Sequence, residues 1–203
     1  LPMFRFFGLC FLFILIGGPS RAQQANAPRF HASLLAGINA TQVDGDNLAG
    51  YHKGGWNAGL GVDATLHKDL TLGMELLFSQ KGSRSTILPP ASSVKLLINY
   101  AEIPIMLRYH DRNGAIFGLG LSYGAYLNHK QWQGGVQVPS ADTLLFARDL
   151  EGLAEFSLRV TEHFFLNARF GYSLIPVARW GISRFRHQAV YNNVLTFRMG
   201  YVF

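Results

Sequence analysis

The chain closes on Leu195-Thr196-Phe197-Arg198-Met199-Gly200-Tyr201-Val202-Phe203. Leu195, Phe197, Met199, Tyr201 and Phe203 share one parity, and Thr196, Arg198 and Gly200 share the other. Successive side chains of a strand point to opposite faces, so this segment has one greasy face and one small or charged face. The greasy face runs to the last residue, where a soluble domain usually frays into polar sequence. The stretch predicts a strand held in hydrocarbon.

The same period recurs upstream. Apolar residues alternate over 30–38, 56–66, 70–78, 101–109, 117–127, 150–160 and 164–172, which with the closing segment makes eight strands. Their connections alternate in length. His67–Asp69, His110–Gly114 and Thr161–His163 are tight turns, whereas about 41–53, 82–94, 129–148 and 175–190 are long. Short turns at one end and long loops at the other are the pattern of an up-and-down barrel in an outer membrane. The predicted fold is an all-β, eight-stranded antiparallel transmembrane β-barrel over 30–203.

Composition decides which way the greasy face points. Apolar residues make up 49% of the chain and charged residues only 15%, against about 25% charged in a soluble domain. A soluble lipocalin-like binder would need its second face dense in charge. Here that face is Gly, Ser, Asn and Thr with sparse charges of both signs. Such a face suits a narrow lumen, which eight strands leave just wide enough for side chains to fill. Glu75, Glu102, Arg108, Glu155, Arg159, Arg169 and Arg198 fall on it. Buried charges must pair, so these residues are predicted to form interior ion pairs that fix the register and plug the barrel. Trp56, Phe78, Tyr109, Tyr123, Tyr172 and Phe203 lie near strand ends, where interfacial girdles sit. Pro104 cannot donate to a ladder and predicts a bulge or locally open pairing.

The beginning of the chain reads differently. Arg5, an apolar run from Phe6 to about Ile16, and Ser20-Arg21-Ala22 have the layout of a secretory signal peptide, with cleavage expected after Ala22. The run is too short to span a bilayer as a helix. Residues 23–29 form a short segment before the barrel. Cys10 is the single cysteine and lies within the run, so the mature chain has no disulfide or thiolate site. Its sixteen Lys and Arg against twelve Asp and Glu are too mild a bias to argue for nucleic acid.

Several segments resemble a known family. They are Lys53–Leu66, Leu72–Gly82, the Ile98–Tyr109 strand with its Tyr100, Glu102, Ile103 and Pro104, Phe117–Leu127, and the closing strand. Together they are similar to the PorT-like outer-membrane β-barrel proteins of Bacteroidetes, with Ala101 standing where that family often has Leu. The resemblance covers about residue 28 onward. It implies a barrel in the bacterial outer membrane and a link to protein secretion. Separately, the terminal aromatic Phe203 on the closing strand resembles the C-terminal signal that the barrel assembly machinery reads in bacterial outer-membrane barrels.

Fold does not carry function, which rests on particular residues. His31, His52, His67, His110, His129, His163 and His187 are spread over both ends, and none has both a Ser and a carboxylate of matched parity beside it on its strand. No catalytic site, metal site or cofactor is expected. The loop at 175–190 interleaves Arg179, Arg184, Arg186 and His187 with Trp180, Phe185 and Tyr191. That mixture suits lipopolysaccharide or an acidic partner. The loop at 129–148 is long enough for a hairpin, and its Trp132 and Phe146 are unusually apolar for free solvent. The expectation is a structural or accessory subunit of a larger outer-membrane assembly, with no open pore. The alternatives are a small channel or transporter and a barrel enzyme. A continuous wet lumen would mark the channel. A His and a carboxylate within reach of a Ser or Thr would mark the enzyme.

Overall fold

A computed structural model of the chain describes residues 30–44, 50–84, 93–138, 143–145, 148–183 and 186–203. The predicted signal peptide at 1–22 and the segment at 23–29 lie outside the described residues. All regular structure among the described residues is strand: β1 (Phe30–Asp44), β2 (Lys53–His67), β3 (Leu70–Arg84), β4 (Val94–His110), β5 (Ala115–Gln133), β6 (Val136–Val138), β7 (Thr143–Leu145), β8 (Arg148–Arg159), β9 (Phe164–Ser173), β10 (Ala178–Ser183) and β11 (Arg186–Val202).

Eight of these form the wall in the order β1-β2-β3-β4-β5-β8-β9-β11, and β11 closes antiparallel onto β1. The predicted eight-stranded barrel is the observed one. Its stagger follows from the pairing. The line Ala32, Val62, Met74, Ile105, Leu121, Gly152, Tyr172, Asn193 returns to β1 at Gln42, ten residues beyond its start. Such a displacement forces the strands to tilt by about 35–45°.

Burial alternates along each wall strand. Trp56, Leu60, Met74, Leu76, Ile105, Leu119 and Phe197 point outward, Leu119 with 69% of its surface exposed. Ser33, Glu75, Glu102, Ser122, Glu155 and Arg198 point inward and are buried. An apolar exterior around a polar interior inverts a soluble barrel and fits a hydrocarbon solvent. Phe30, Tyr109, Phe117, Phe164, Tyr201 and Phe203 ring the exterior at the short-turn end, and Trp56, Phe78 and Tyr123 stand toward the loop end.

The strands run further than the sequence pattern suggested. Much of the predicted loops at 41–53, 82–94, 129–148 and 175–190 is strand. β5 continues to Gln133 and turns through Gly134 and Gly135, with φ of 57° and 82°, into β6. Two successive positive φ angles match the twist of a two-residue hairpin, and glycine reaches them without strain. β10 pairs with both β11 and β7, raising the wall above β8 and β9. Pro104 pairs in step with Ser122 of β5, while the ladder to β3 lapses between Met74↔Ile105 and Leu77↔Glu102 without a register shift. That is the locally open pairing a missing N–H requires. The β4–β5 bulge lies higher, at Asn99/Tyr100.

Candidate functional site

The lumen holds two charged layers. The layer nearer the short turns is built around Glu75 of β3 and Glu155 of β8. Arg169 Nη2 of β9 donates to Glu75 Oε1 at 2.7 Å and to Glu155 Oε2 at 2.6 Å. Arg198 Nη1 of β11 donates to Glu75 Oε2 at 2.9 Å, and its Nε and Nη2 donate to Asn167 Oδ1. Arg108 of β4 donates to Glu155 Oε1 at 2.5 Å and also pairs with Glu75 and Asp63. Three guanidiniums thus meet three carboxylates across the barrel axis. Arg suits this role because its planar fork serves several acceptors at once. Glycine makes the room: a Cβ at Gly73 would collide with Arg108 Nη1 and Asp63 Oδ1, and one at Gly118 with Glu155.

Among the described residues, the layer nearer the loops has one ion-paired cation. Lys81 Nζ lies 2.5 Å from Glu102 Oε1, 2.6 Å from Glu151 Oε1 and 3.2 Å from Asp149 Oδ2. It also stands 5.1 Å over the ring of Tyr100. Asp149 accepts from Ser173 Oγ (2.7 Å) and from Asn192 Nδ2 (2.7 Å). The hydroxyls of Tyr100 and Ser122 are buried with no partner among the described residues. The gap between the two layers measures about 10 Å³, bounded by Asn57, Ser79, Lys81, Glu151, Arg169 and Arg198, which is room for about one water. On the loop side of this layer, apolar side chains fill the interior. Leu96, Ile98 and Tyr100 pack with Tyr126, and Val43 packs with Val177 and Val190.

These placements revise the predicted set. Glu75, Glu155, Arg108, Arg169 and Arg198 form one network. Glu102 does not join the arginines, because the stagger carries it to the level of Lys81. Arg159 is a correction: it ends β8, is exposed, and has no ion pair among the described residues. The sequence reading missed Lys81, Asp149 and Glu151 as ion-pair members, and Asp63 as the third acid of the arginine layer. Inward parity continued past the apolar pattern would have found Lys81 and Asp149, and Glu151 already shares that parity within it.

At the short-turn end the lumen opens into a cavity of about 300 Å³, floored by Glu75, Arg108 and Glu155 and rimmed by His31, Arg159 and His163. Within it His110 Nε2 lies 2.9 Å from Thr71 Oγ1. This pair joins β3 to β4 and has no signature along either strand. Among the described residues no carboxylate hydrogen-bonds the other ring nitrogen of His110. At the closing strand, Phe203 N donates to Ala32 O at 3.0 Å, and its ring meets Tyr201 edge-on.

On the loop end, Lys95 Nζ stands 4.7 Å over the ring of Trp132. Arg179 and Trp180 lie on β10, paired to Ala189 and Gln188 of β11, and Arg186 pairs with Ser183. Phe146, Arg184 and Phe185 lie outside the described residues.

Comparison with known proteins agrees with this geometry. The outer membrane protein beta-barrel domain family matches residues 21–179. Among solved structures, Neisserial surface protein A is similar at 13% identity and a TM-score of 0.56, over 88% of this chain and 100% of that one. The attachment invasion locus protein Ail of Yersinia pestis is similar at 15% identity and a TM-score of 0.51, over 85% and 98% of the two chains. At these identities the likeness concerns the fold. A search of curated proteins found no match.

Proposed function

Because the chain belongs to the outer membrane protein beta-barrel domain family and lies in the bacterial outer membrane, we propose that it works there as a closed barrel, a structural or accessory subunit that offers its loop end to a larger assembly. The observation that carries this reading is the pair of charged layers across the lumen. Arg108, Arg169 and Arg198 reach carboxylates on other strands, and Lys81 gathers Glu102, Asp149 and Glu151 above them. A solute would have to break several buried pairs at once, which opposes the channel reading. The similarity of the Tyr100–Pro104 strand to PorT-like proteins makes a secretion assembly the first place to look. The reading includes no enzymatic step; among the described residues, no carboxylate hydrogen-bonds His110 of the Thr71–His110 pair.

Gentle detergent extraction of the native outer membrane, with mass spectrometry of what co-purifies, tests the subunit role. A stoichiometric partner is expected. A lone barrel that conducts in a planar bilayer would replace this reading with that of a small channel. Phe203 is proposed as the signal for the assembly machinery. Its deletion should lower the yield of heat-modifiable barrel on a gel, and an unchanged yield would remove that role.

A further inference from the structure

The outer wall of β3, β4 and β5 changes character just above the lipid-facing band. Register partners form successive outward rungs across these strands. The apolar rung Phe78–Ala101–Ala125 is followed by Gln80–Asn99–Asn128, then Gly82–Leu97–Lys130, then Arg84–Lys95–Trp132. Each rung lies two residues above the last, about 7 Å along a strand and about 5 Å along the membrane normal at the tilt of such a barrel. Lys130 therefore stands about 10 Å above Ala125, the member of the apolar rung on its own strand, at the depth of lipid headgroups. Asn99 Nδ2 donates to Asn128 Oδ1 at 2.7 Å, holding the polar rung together.

Among the described residues, the cations on this wall have no acidic partner. The sequence contains no Asp or Glu from 76 to 101 or from 112 to 141. Among the described residues Arg84, Lys95 and Lys130 form no salt bridge. Arg84 and Lys130 are exposed. Lys95 lies along the wall against the Trp132 indole, an amphipathic ring suited to the water–lipid boundary. The long loops mark this end as the outer side of the membrane.

We propose that Arg84, Lys95 and Lys130, with Trp132 as anchor, bind the phosphate groups of an outer-leaflet lipid headgroup of the lipid A type. A guanidinium and two ammoniums on one face supply charge-assisted donors to phosphate oxygens. The lipid is favoured over an acidic protein because the patch continues directly from the lipid-facing wall. The site rests on the outward orientation of the loop end and is independent of whether the lumen conducts.

The test uses the full barrel refolded in a neutral detergent. Bisphosphorylated lipid A and its dephosphorylated form are added in turn, and retained lipid is read by native mass spectrometry. The wild type should retain bisphosphorylated lipid A at least roughly tenfold better than the dephosphorylated form. The R84Q/K95Q/K130Q variant should lose that preference, while K68Q/R112Q, at the opposite end, should keep it. Heat-modifiability on a gel establishes that each variant is folded. Inorganic phosphate alone should not displace the lipid, and its displacement would reduce the site to a free-anion site. Equal retention by the triple variant would overturn the assignment. So would an acidic protein that requires the three cations while lipid retention does not.

Discussion

The two layers inside the barrel solve the same problem with different arithmetic. The layer by the short turns balances three carboxylates with three arginines. The layer by the loops sets three carboxylates around a single ammonium. In the first, every charge has a counter-charge, so removing any member leaves an orphan. In the second, negative charge is already in excess, so the members are not equivalent: the cation is indispensable and an acid is surplus. A buried ion pair is weak evidence for stability, but breaking one from a single side is costly.

The largest effect should follow from breaking the loop-side layer at Lys81, the one cation paired there among the described residues. Lys81→Met leaves Glu102, Asp149 and Glu151 facing one another, at a cost of about 5 kcal/mol, the top of the range for breaking a buried pair, so little heat-modifiable barrel should form. A normal yield would mean that Lys81 does not hold that layer. Glu75→Gln should come next. It removes the acceptor shared by Arg108, Arg169 and Arg198 and should cost about 3–5 kcal/mol in a urea titration of the micelle-bound barrel. The wall gives a reference for scale. Leu119→Arg puts a charge into lipid and should cost about 2–4 kcal/mol, whereas Ser122→Arg, on the inward face, should disturb lumen packing without that term. Equal behaviour in lipid vesicles of two thicknesses would undo the assignment of faces. The smallest effect, and the sharpest contrast, is Glu151→Gln. Lys81 keeps two partners, so the unfolding midpoint should stay or rise. A loss as large as that of Glu75→Gln would mean that the two layers are alike after all.

The wall was legible because period-two alternation is imposed by lipid on every strand, and Leu119 and Phe197 declare it as plainly as Phe203. Glu75 and Arg198 were legible as interior residues by parity. The pattern failed where the lipid ends. Above the Phe78 rung the outer face turns polar, at Gln80 and then Arg84, so the contrast with the inner face vanishes while the strand goes on. Lys81 therefore stood at the margin of a predicted loop, although its backbone is β3. Pair identity was hidden for a second reason. A displacement of ten residues around the barrel sets the level of each side chain, and no single strand carries that number. Hence Glu102 was grouped with the arginines, and Arg159 was placed inside although it stands at a strand end. Neither the short strands β7 and β10 nor the Thr71–His110 contact has a local signature, since each depends on a neighbour distant in sequence.

The seam between β1 and β11 has a consequence for the order of folding. It joins the first described strand to the last, pairing Gly37 with Arg198, so the most non-local contact in the chain forms only after all the others are possible. Until β11 arrives, the arginine layer holds Asp63, Glu75 and Glu155 against Arg108 and Arg169, one negative charge too many. The strand that shuts the wall also delivers Arg198 to Glu75. Closure of the cylinder and neutrality of its arginine layer are therefore a single event, and a chain arrested before its last strand has neither.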